Sequence, residues 1–109
     1  MALSAARRRR VRRVRLVIMD VDGVLTDGGM YYSEGGEELK KFNTRDGHGI
    51  TLLHAAGIKT ALVTRERTPI VTRRAAKLGI VEVHQGALDK LPVVEKILER
   101  HGVTWADTC

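Results

Sequence analysis

The chain has 109 residues, of which 43% are hydrophobic, with 19 Lys and Arg against 13 Asp and Glu and a single cysteine. This length suffices for one domain with a buried core, and no apolar run reaches the ~18 residues that a membrane-spanning helix needs. Because Cys109 is the only cysteine, a scaffold held by intrachain disulfides is excluded. The scarcity of thiols fits a reducing cytosol.

The positive charge is concentrated at the amino terminus. Residues 1–15 contain seven Arg and no acidic residue, whereas the other 94 residues carry 12 basic and 13 acidic side chains. We interpret residues 1–13 as a basic, disordered tail in front of a domain over residues 14–109. A targeting segment and an arm that binds nucleic acid or anionic lipid are the alternatives. Because the body has no basic stripe interleaved with aromatic residues, nucleic-acid binding is the lesser alternative. We expect no membrane partner.

Short apolar runs then alternate with segments of helical periodicity. Residues 14–19 indicate a buried strand, an Asp- and Gly-rich loop follows, and Glu34-Gly35-Gly36 predicts a hairpin between residues 30–33 and 37–42. The later predicted elements are a helix from 46 or 47 to 56, a strand over 58–63, a helix over 68–78, a strand over 80–84 and a helix from Asp89 to Gly102.

This alternation of strands and helices predicts an α/β fold whose parallel sheet is covered by helices on both faces. The carboxyl ends of the strands in such a sheet meet at one edge, where ligands bind. Asp20, Asp22, Thr64 and the loop over residues 86–90 fall at or just beyond these ends. The sequence therefore predicts that these residues form a single ligand-binding site at this edge of the sheet.

Asp20-Val21-Asp22-Gly23 directly follows the first strand of this predicted sheet. Two carboxylates at this spacing can hold a hard divalent cation and divide the roles of nucleophile and acid/base, although an acidic loop alone is more often simply solvated. Thr64 after the second parallel strand and Lys90 after the third add a hydroxyl donor and a cation for phosphate oxygens. Taken singly, Thr64 as a mere strand end and Lys90 as an exposed helix residue are equally good interpretations.

Residues 20–50, DVDGVLTDGGMYYSEGGEELKKFNTRDGHGI, resemble the haloacid dehalogenase (HAD) superfamily in its KDO 8-phosphate phosphatase-like branch. The resemblance extends from Leu16 to about Cys109. It implies a three-layer, Rossmann-like core with a β-hairpin in place of a cap domain. It also implies a Mg²⁺-dependent phosphomonoesterase that hydrolyses KDO 8-phosphate or a related nonulosonic acid phosphate through an aspartyl-phosphate. The expected assembly is a cytoplasmic homotetramer that serves lipopolysaccharide biosynthesis.

The resemblance also implies a role for each site residue. Asp20 would be the nucleophile and a metal ligand, and Asp22 would protonate the leaving alcohol, activate water and bind the metal through its backbone carbonyl. Thr64 would hydrogen-bond the phosphoryl oxygens, and Lys90 would neutralise the phosphate and orient the nucleophile. The residues that would line the sugar-acid phosphate site together with Asp22 and Lys90 are Asn43, Thr44, Arg45, Asp46, Gly47 and Arg74.

The sequence departs from the sugar phosphatases of this branch in two segments. Those proteins usually read Thr/Ser-Gly-Arg after the second parallel strand, whereas this chain reads Thr64-Arg65-Glu66. Thr51 also stands where the bacterial KDO 8-phosphate enzymes commonly have an arginine. We therefore leave the substrate open between KDO 8-phosphate and a related nonulosonic acid 9-phosphate, with Arg65 or Arg67 as the candidate partner of its carboxylate.

A further departure concerns the metal site. In the family, the strand that follows a segment like residues 102–107 lies beside the first strand and ends in Gly-Asp-Asp, whose aspartate completes the Mg²⁺ site. This sequence ends at Cys109, where that strand would begin. We therefore expect a C-terminally truncated core with an exposed edge at the first strand, an incomplete metal site and weak or no activity. A catalytically silent domain that acts as a binding or assembly module is the alternative function.

Overall fold

The structure, a computed structural model, describes residues 2–109 apart from the side chains of Glu37 and Glu38. After residue 13, the strands and helices follow one another in the α/β order that the sequence predicts. They are α1 (Ala5–Arg13), β1 (Leu16–Met19), β2 (Tyr31–Ser33), β3 (Gly36–Leu39), α2 (Thr44–Ala55), β4 (Lys59–Val63), α3 (Pro69–Leu78), β5 (Glu82–His84), α4 (Lys90–His101) and a short 3₁₀ turn (Trp105–Asp107).

The central sheet is parallel, with the strand order β1-β4-β5, and β2 and β3 form a separate antiparallel hairpin. β1, β4 and β5 end at Met19, Val63 and His84, and Val63 pairs with His84. The residues that follow β1 and β4 are Asp20 and Thr64. The sheet register thus brings the predicted site residues to one edge.

Helices cover both faces of this sheet, as expected for a three-layer core. Alternate residues of β4 point to opposite faces, so Leu62 belongs to one buried cluster, while Ala61 and Val63 belong to another. The first cluster contains residues of α2 and α3, namely Ile50, Val71 and Ala75. The second contains residues of α4, namely Ile97 and Leu98.

The outer edge of β1 is paired along its first half. The Arg15 amide donates to the Asp107 carbonyl at 2.7 Å, the Cys109 amide to the Leu16 carbonyl at 2.9 Å, and the Ile18 amide to the Cys109 carbonyl at 2.7 Å. Leu16 is fully buried as a result. The predicted exposed edge is therefore wrong for this half of the strand, because residues 107–109 extend the sheet in parallel.

The structure has a helix, α1, where we predicted a disordered tail. Alanine and arginine are strong helix formers, and the Ser4 hydroxyl caps the helix by accepting the Arg7 amide at 3.2 Å. None of its residues is buried, and Arg13 reaches Asp107 at 3.5 Å. Local propensity and capping, rather than packing, therefore account for this helix.

Capping residues set the boundaries of the later helices. Thr68 caps α3 by accepting the Ile70 amide at 3.2 Å, and α3 ends at Gly79 in the left-handed conformation, as predicted. α2 begins at Thr44, earlier than predicted, because the Asn43 side chain accepts the Arg45 amide at 2.8 Å. Within residues 2–109, no helix has the length and apolar character needed to span a membrane.

The central position of β4 in the core can be tested by substitution. Leu62 is 1% exposed on β4, whereas Leu52 is 57% exposed on α2. We expect Leu62→Ala to lower the free energy of unfolding by about 2–5 kcal/mol, because it removes buried methyl groups and leaves a cavity. Leu52→Ala is the matched control and should change that free energy by less than about 0.5 kcal/mol. Equal losses in urea unfolding curves would contradict this assignment of the core.

Candidate active site

Backbone hydrogen bonds join the loops that follow β4 and β5. The Thr64 amide donates to the His84 carbonyl at 2.9 Å, the Ala87 amide donates back to the Thr64 carbonyl at 3.0 Å, and the Gly86 amide donates to the Glu66 carbonyl at 3.2 Å. These bonds continue the pairing of the two strands beyond the sheet. They hold Thr64 beside the start of α4, which carries Lys90.

Gly86 is required at its position for two reasons. Its φ of +68° lies in the left-handed region, and a Cβ placed on it would lie 2.7 Å from the Arg67 guanidinium. The Arg67 side chain therefore packs over the glycine backbone. A larger residue here would force the flexible end of the Arg67 side chain to move and would strain the backbone at this φ.

An open cleft of about 370 Å³ lies at this edge of the sheet. Its lining comprises the four residues predicted to be catalytic together with the residues that follow Thr64 and precede α4. They are Asp20, Asp22, Thr64, Arg65, Glu66, Ala87, Leu88 and Lys90. The structure thus brings the four predicted catalytic side chains together in one cleft.

Asp20 is held by hydrogen bonds to both carboxylate oxygens. Lys90 Nζ donates to Asp20 Oδ2 at 2.8 Å, and the Val21 amide donates to Oδ1 at 2.6 Å. Burial alone would raise the pKa of Asp20, but the bonds from Lys90 and Val21, the charge of Lys90 and the Thr64 hydroxyl together lower that pKa below its ordinary value. Asp20 is therefore an oriented, ionised carboxylate at neutral pH, which is the form that acts as a nucleophile.

Asp22 contacts a lysine that the sequence analysis missed. Lys40, which directly follows β3, donates from Nζ to Asp22 Oδ1 at 2.6 Å, and its side chain is only 1% exposed. No pattern in the sequence separates it from the neighbouring Lys41. Lys40 reaches Asp22 because the hairpin folds against the loop after β1.

The segment over residues 43–47 lies at the start of α2. Asn43 and Asp46 line a smaller cavity of about 210 Å³, and the linings of the two cavities share no residue. Arg74 joins this second group, because its guanidinium lies 5.3 Å from the centre of the Phe42 ring and donates to the Asn43 carbonyl at 3.3 Å.

Gly47 allows that approach, since a Cβ on it would lie 3.0 Å from Arg74. Thr44 and Arg45 form the first turn of α2. The structure therefore groups Arg74 with the start of α2, whereas Asn43 and Asp46 line a different cavity from Asp20 and Asp22. Their role in substrate binding stays a prediction.

The donors after β1 have the chemistry of a site for a hard cation. Mg²⁺ prefers carboxylate and carbonyl oxygens and keeps several waters, so the Asp20 carboxylate and the Asp22 carbonyl fit it. Across residues 2–109, with the side chains of Glu37 and Glu38 excepted, no three His, Cys, Asp or Glu side chains group in a metal-binding arrangement. In the described part of the chain, two residues at this edge, Asp20 and Asp22, thus supply oxygen donors for a cation.

Curated relatives share the sequence of the domain that carries this cleft. No protein-family model matches the chain. It is 44% identical over 91 residues to the 3-deoxy-D-manno-octulosonate (KDO) 8-phosphate phosphatase of Salmonella typhi, a match that covers 84% of this chain and 48% of the relative. The chain spans about half the length of the curated relatives it matches.

Solved structures of similar proteins share its fold. The KDO 8-phosphate phosphatase of Moraxella catarrhalis, in complex with magnesium, phosphate and KDO, aligns with a TM-score of 0.87 and 35% identity, covering 92% of this chain and 57% of that one. A HAD superfamily hydrolase of subfamily III A from Legionella pneumophila aligns with a TM-score of 0.88 and 34% identity. The alignment covers 92% of this chain and 55% of the Legionella chain. The chain belongs to the HAD superfamily, in the branch of the KDO 8-phosphate phosphatases.

Proposed function

We propose that the protein is a phosphomonoesterase that uses Asp20 as its nucleophile. The observation that carries this proposal is the environment of Asp20, an ionised carboxylate at a strand end that is oriented by Lys90 and the Val21 amide in an open cleft. The named activity of the relatives agrees with this chemistry. Because the chain spans about half of those relatives, the activity is a proposal for this chain.

The proposed reaction has two displacements at phosphorus. An Asp20 oxygen attacks the phosphorus, the bond between phosphorus and the ester oxygen breaks, and the leaving oxygen takes a proton from Asp22. Water then attacks the aspartyl-phosphate and gives its proton to Asp22, which releases phosphate and restores the Asp20 carboxylate. Lys90 and the Thr64 hydroxyl would stabilise the negative charge on the phosphoryl oxygens.

A divalent cation fits this proposal. The oxygen donors of Asp20 and Asp22 would hold Mg²⁺, and one of the solved relatives is a magnesium complex. When bound, the cation would neutralise charge on the phosphoryl oxygens and so help an anionic nucleophile to approach an anionic group.

The proposed substrate is a small sugar-acid phosphate, either KDO 8-phosphate or a related nonulosonic acid phosphate. Of the two arginines considered for the substrate carboxylate, Arg65 lines the cleft, whereas Arg67 lines a neighbouring cavity and packs on Gly86. This placement favours Arg65. Glu66 also lines the cleft and adds a negative charge close to Arg65.

We further propose a cytoplasmic homotetramer in which the hairpin of a neighbouring subunit closes the open cleft. Large apolar side chains of the hairpin are exposed by between 43% and 64%. They are Met30, Tyr31, Tyr32 and Leu39. Exposed apolar side chains on a projecting hairpin favour burial against another subunit.

A catalytically silent domain is the second candidate function. The observation that favours it is that both aspartates of the cleft already pair with a lysine, Asp20 with Lys90 and Asp22 with Lys40. The Lys90 ammonium competes with a metal cation for the Asp20 carboxylate, and the Lys40 ammonium occupies the Asp22 carboxylate that would exchange protons. Mg²⁺-dependent release of phosphate by the purified 109-residue chain would exclude this candidate.

Substitution of the nucleophile tests the proposed function directly. We expect Asp20→Asn to lower Mg²⁺-dependent phosphate release from KDO 8-phosphate by about 1,000-fold or more, because an amide cannot form the acyl phosphate. Glu95→Gln, on the exposed side of α4, is the control and should keep the full rate. Undiminished hydrolysis by Asp20→Asn would contradict the mechanism.

The ionisation of Asp20 gives a second prediction. Lys90→Met removes a hydrogen bond and a positive charge while burial remains, so the pKa of Asp20 should rise. A lowered pKa in the folded state stabilises the protein at neutral pH, and this contribution is lost as the pH falls through that pKa. Carbon-13 NMR titration of the Asp20 carboxyl in wild type and Lys90→Met measures the change, with the exposed Lys96→Met as control. An unchanged pKa would show that Lys90 does not govern this carboxylate.

The assembly proposal predicts that the exposed hairpin holds the subunits together. Tyr32 is 64% exposed and Leu39 is 59% exposed. Their replacement should therefore change the free energy of unfolding of the isolated subunit little. We expect Tyr32→Ser with Leu39→Ser to shift sedimentation from tetramer to smaller species, with Leu52→Ser on α2 as control. A monomeric wild type, or a variant that stays tetrameric, would count against this interface.

A further inference from the structure

Lys40 is a charged side chain with almost no exposure to water. Its side chain is 1% exposed, and that of its partner Asp22 is 26% exposed. Burial of an ammonium group is unfavourable unless opposite charge and hydrogen bonds compensate it. The contact from Lys40 Nζ to Asp22 Oδ1, at 2.6 Å, supplies such compensation and is short for a charge-assisted hydrogen bond.

The backbone around this pair is constrained on both sides. Thr26 forms an antiparallel bridge with Phe42, which ties the loop after β1 to the segment after β3. The Thr26 hydroxyl also accepts the amides of Gly23 at 3.2 Å and Gly28 at 3.1 Å, which organises the loop that contains Asp22. The approach of Lys40 to Asp22 is therefore built into the fold.

The two lysines of the site differ in their access to the cleft. Lys90 is 40% exposed beside Asp20 and lines the cleft, where an incoming phosphate would meet it. Lys40 is buried and contacts the Asp22 carboxylate from the hairpin. Lys40 is not among the residues that line the cleft, and its contact with Asp22 links it to the reaction.

We propose that Lys40 is a positioning residue for Asp22. It binds Oδ1 and thereby fixes the rotamer of the carboxylate, so that Oδ2 is the oxygen that exchanges a proton with the leaving group and with water. This inference rests on the proposed function, in which Asp22 is the acid/base. It links the hairpin to the chemistry, since displacement of the segment after β3 would move the ammonium group that holds Asp22.

Two aryl esters separate this role from a general structural one. Phenyl phosphate and 4-nitrophenyl phosphate have similar shapes, but only the phenolate of the former is basic enough to need a proton as it leaves. The ratio kcat/KM reports the steps up to departure of that group. We expect Lys40→Met to lower kcat/KM for phenyl phosphate by about 10–100-fold and to lower that for 4-nitrophenyl phosphate far less. Lys96→Met is the control and should change neither value.

A double-mutant cycle adds a readout that a merely structural role would not move. In an Asp22→Ala background, Lys40→Met should cause no further loss on phenyl phosphate, because the side chain that it positions is absent. Equal losses on both esters, or additive losses in the cycle, would overturn the proposal.

The contact itself is testable when no ester is turned over, or when Lys40→Met fails to fold. NMR of the wild-type chain should show a scalar coupling across the hydrogen bond between Lys40 Nζ and the Asp22 carboxyl carbon, with ammonium protons that exchange slowly with water. Absence of this coupling would overturn the positioning role whatever the activity. If the coupling is present but the chain hydrolyses neither ester, the contact between Lys40 and Asp22 stands. That result would contradict the proposed phosphomonoesterase function and not the contact.

Discussion

Parallel pairing of β1, β4 and β5 is the constraint on which the rest of the molecule depends. It aligns the strand ends, and the bonds between Thr64 and the backbone of His84 and Ala87 continue that alignment into the loops. Groups that lie far apart in the sequence, such as Asp20 and Lys90, thereby reach hydrogen-bonding distance. The chemistry of the cleft is thus a consequence of strand register and of the two apolar layers that fix the sheet between helices.

The arrangement of charge in the cleft follows from different degrees of burial. Asp20 and Lys90 are each about two-fifths exposed, so their pair is open to a charged ligand that exchanges with it. Asp22 and Lys40 form a more buried pair, in which the lysine has almost no access to water. Solvent screens the first pair more than the second. In the proposed mechanism, the more exposed Asp20 would therefore attack the ligand, while Lys40 would hold Asp22 in a defined orientation.

Local signals in the sequence predicted the elements well, because caps and turns depend on neighbouring residues. α3 begins after Thr68 and ends before Gly79, as predicted. The apolar runs of β1 and β4 predicted that Asp20 and Thr64 lie at strand ends. Contacts between distant segments were not predictable in the same way. The pairing of residues 107–109 with β1 and the burial of Lys40 depend on how the folded loops meet. The cavity beside Asn43 and Asp46 likewise forms where the loop after β1, with Leu25, Thr26 and Asp27, meets the start of α2.

Chemical trapping of the acyl phosphate tests the central claim, that Asp20 is the nucleophile, most directly. The chain would be incubated with Mg²⁺ and 4-nitrophenyl phosphate and quenched with borohydride, which reduces an acyl phosphate to an alcohol. Mass spectrometry of the peptide that contains residues 16–22 should then find homoserine in place of Asp20. Conversion of a different carboxylate, or release of phosphate without any conversion at Asp20, would contradict the account.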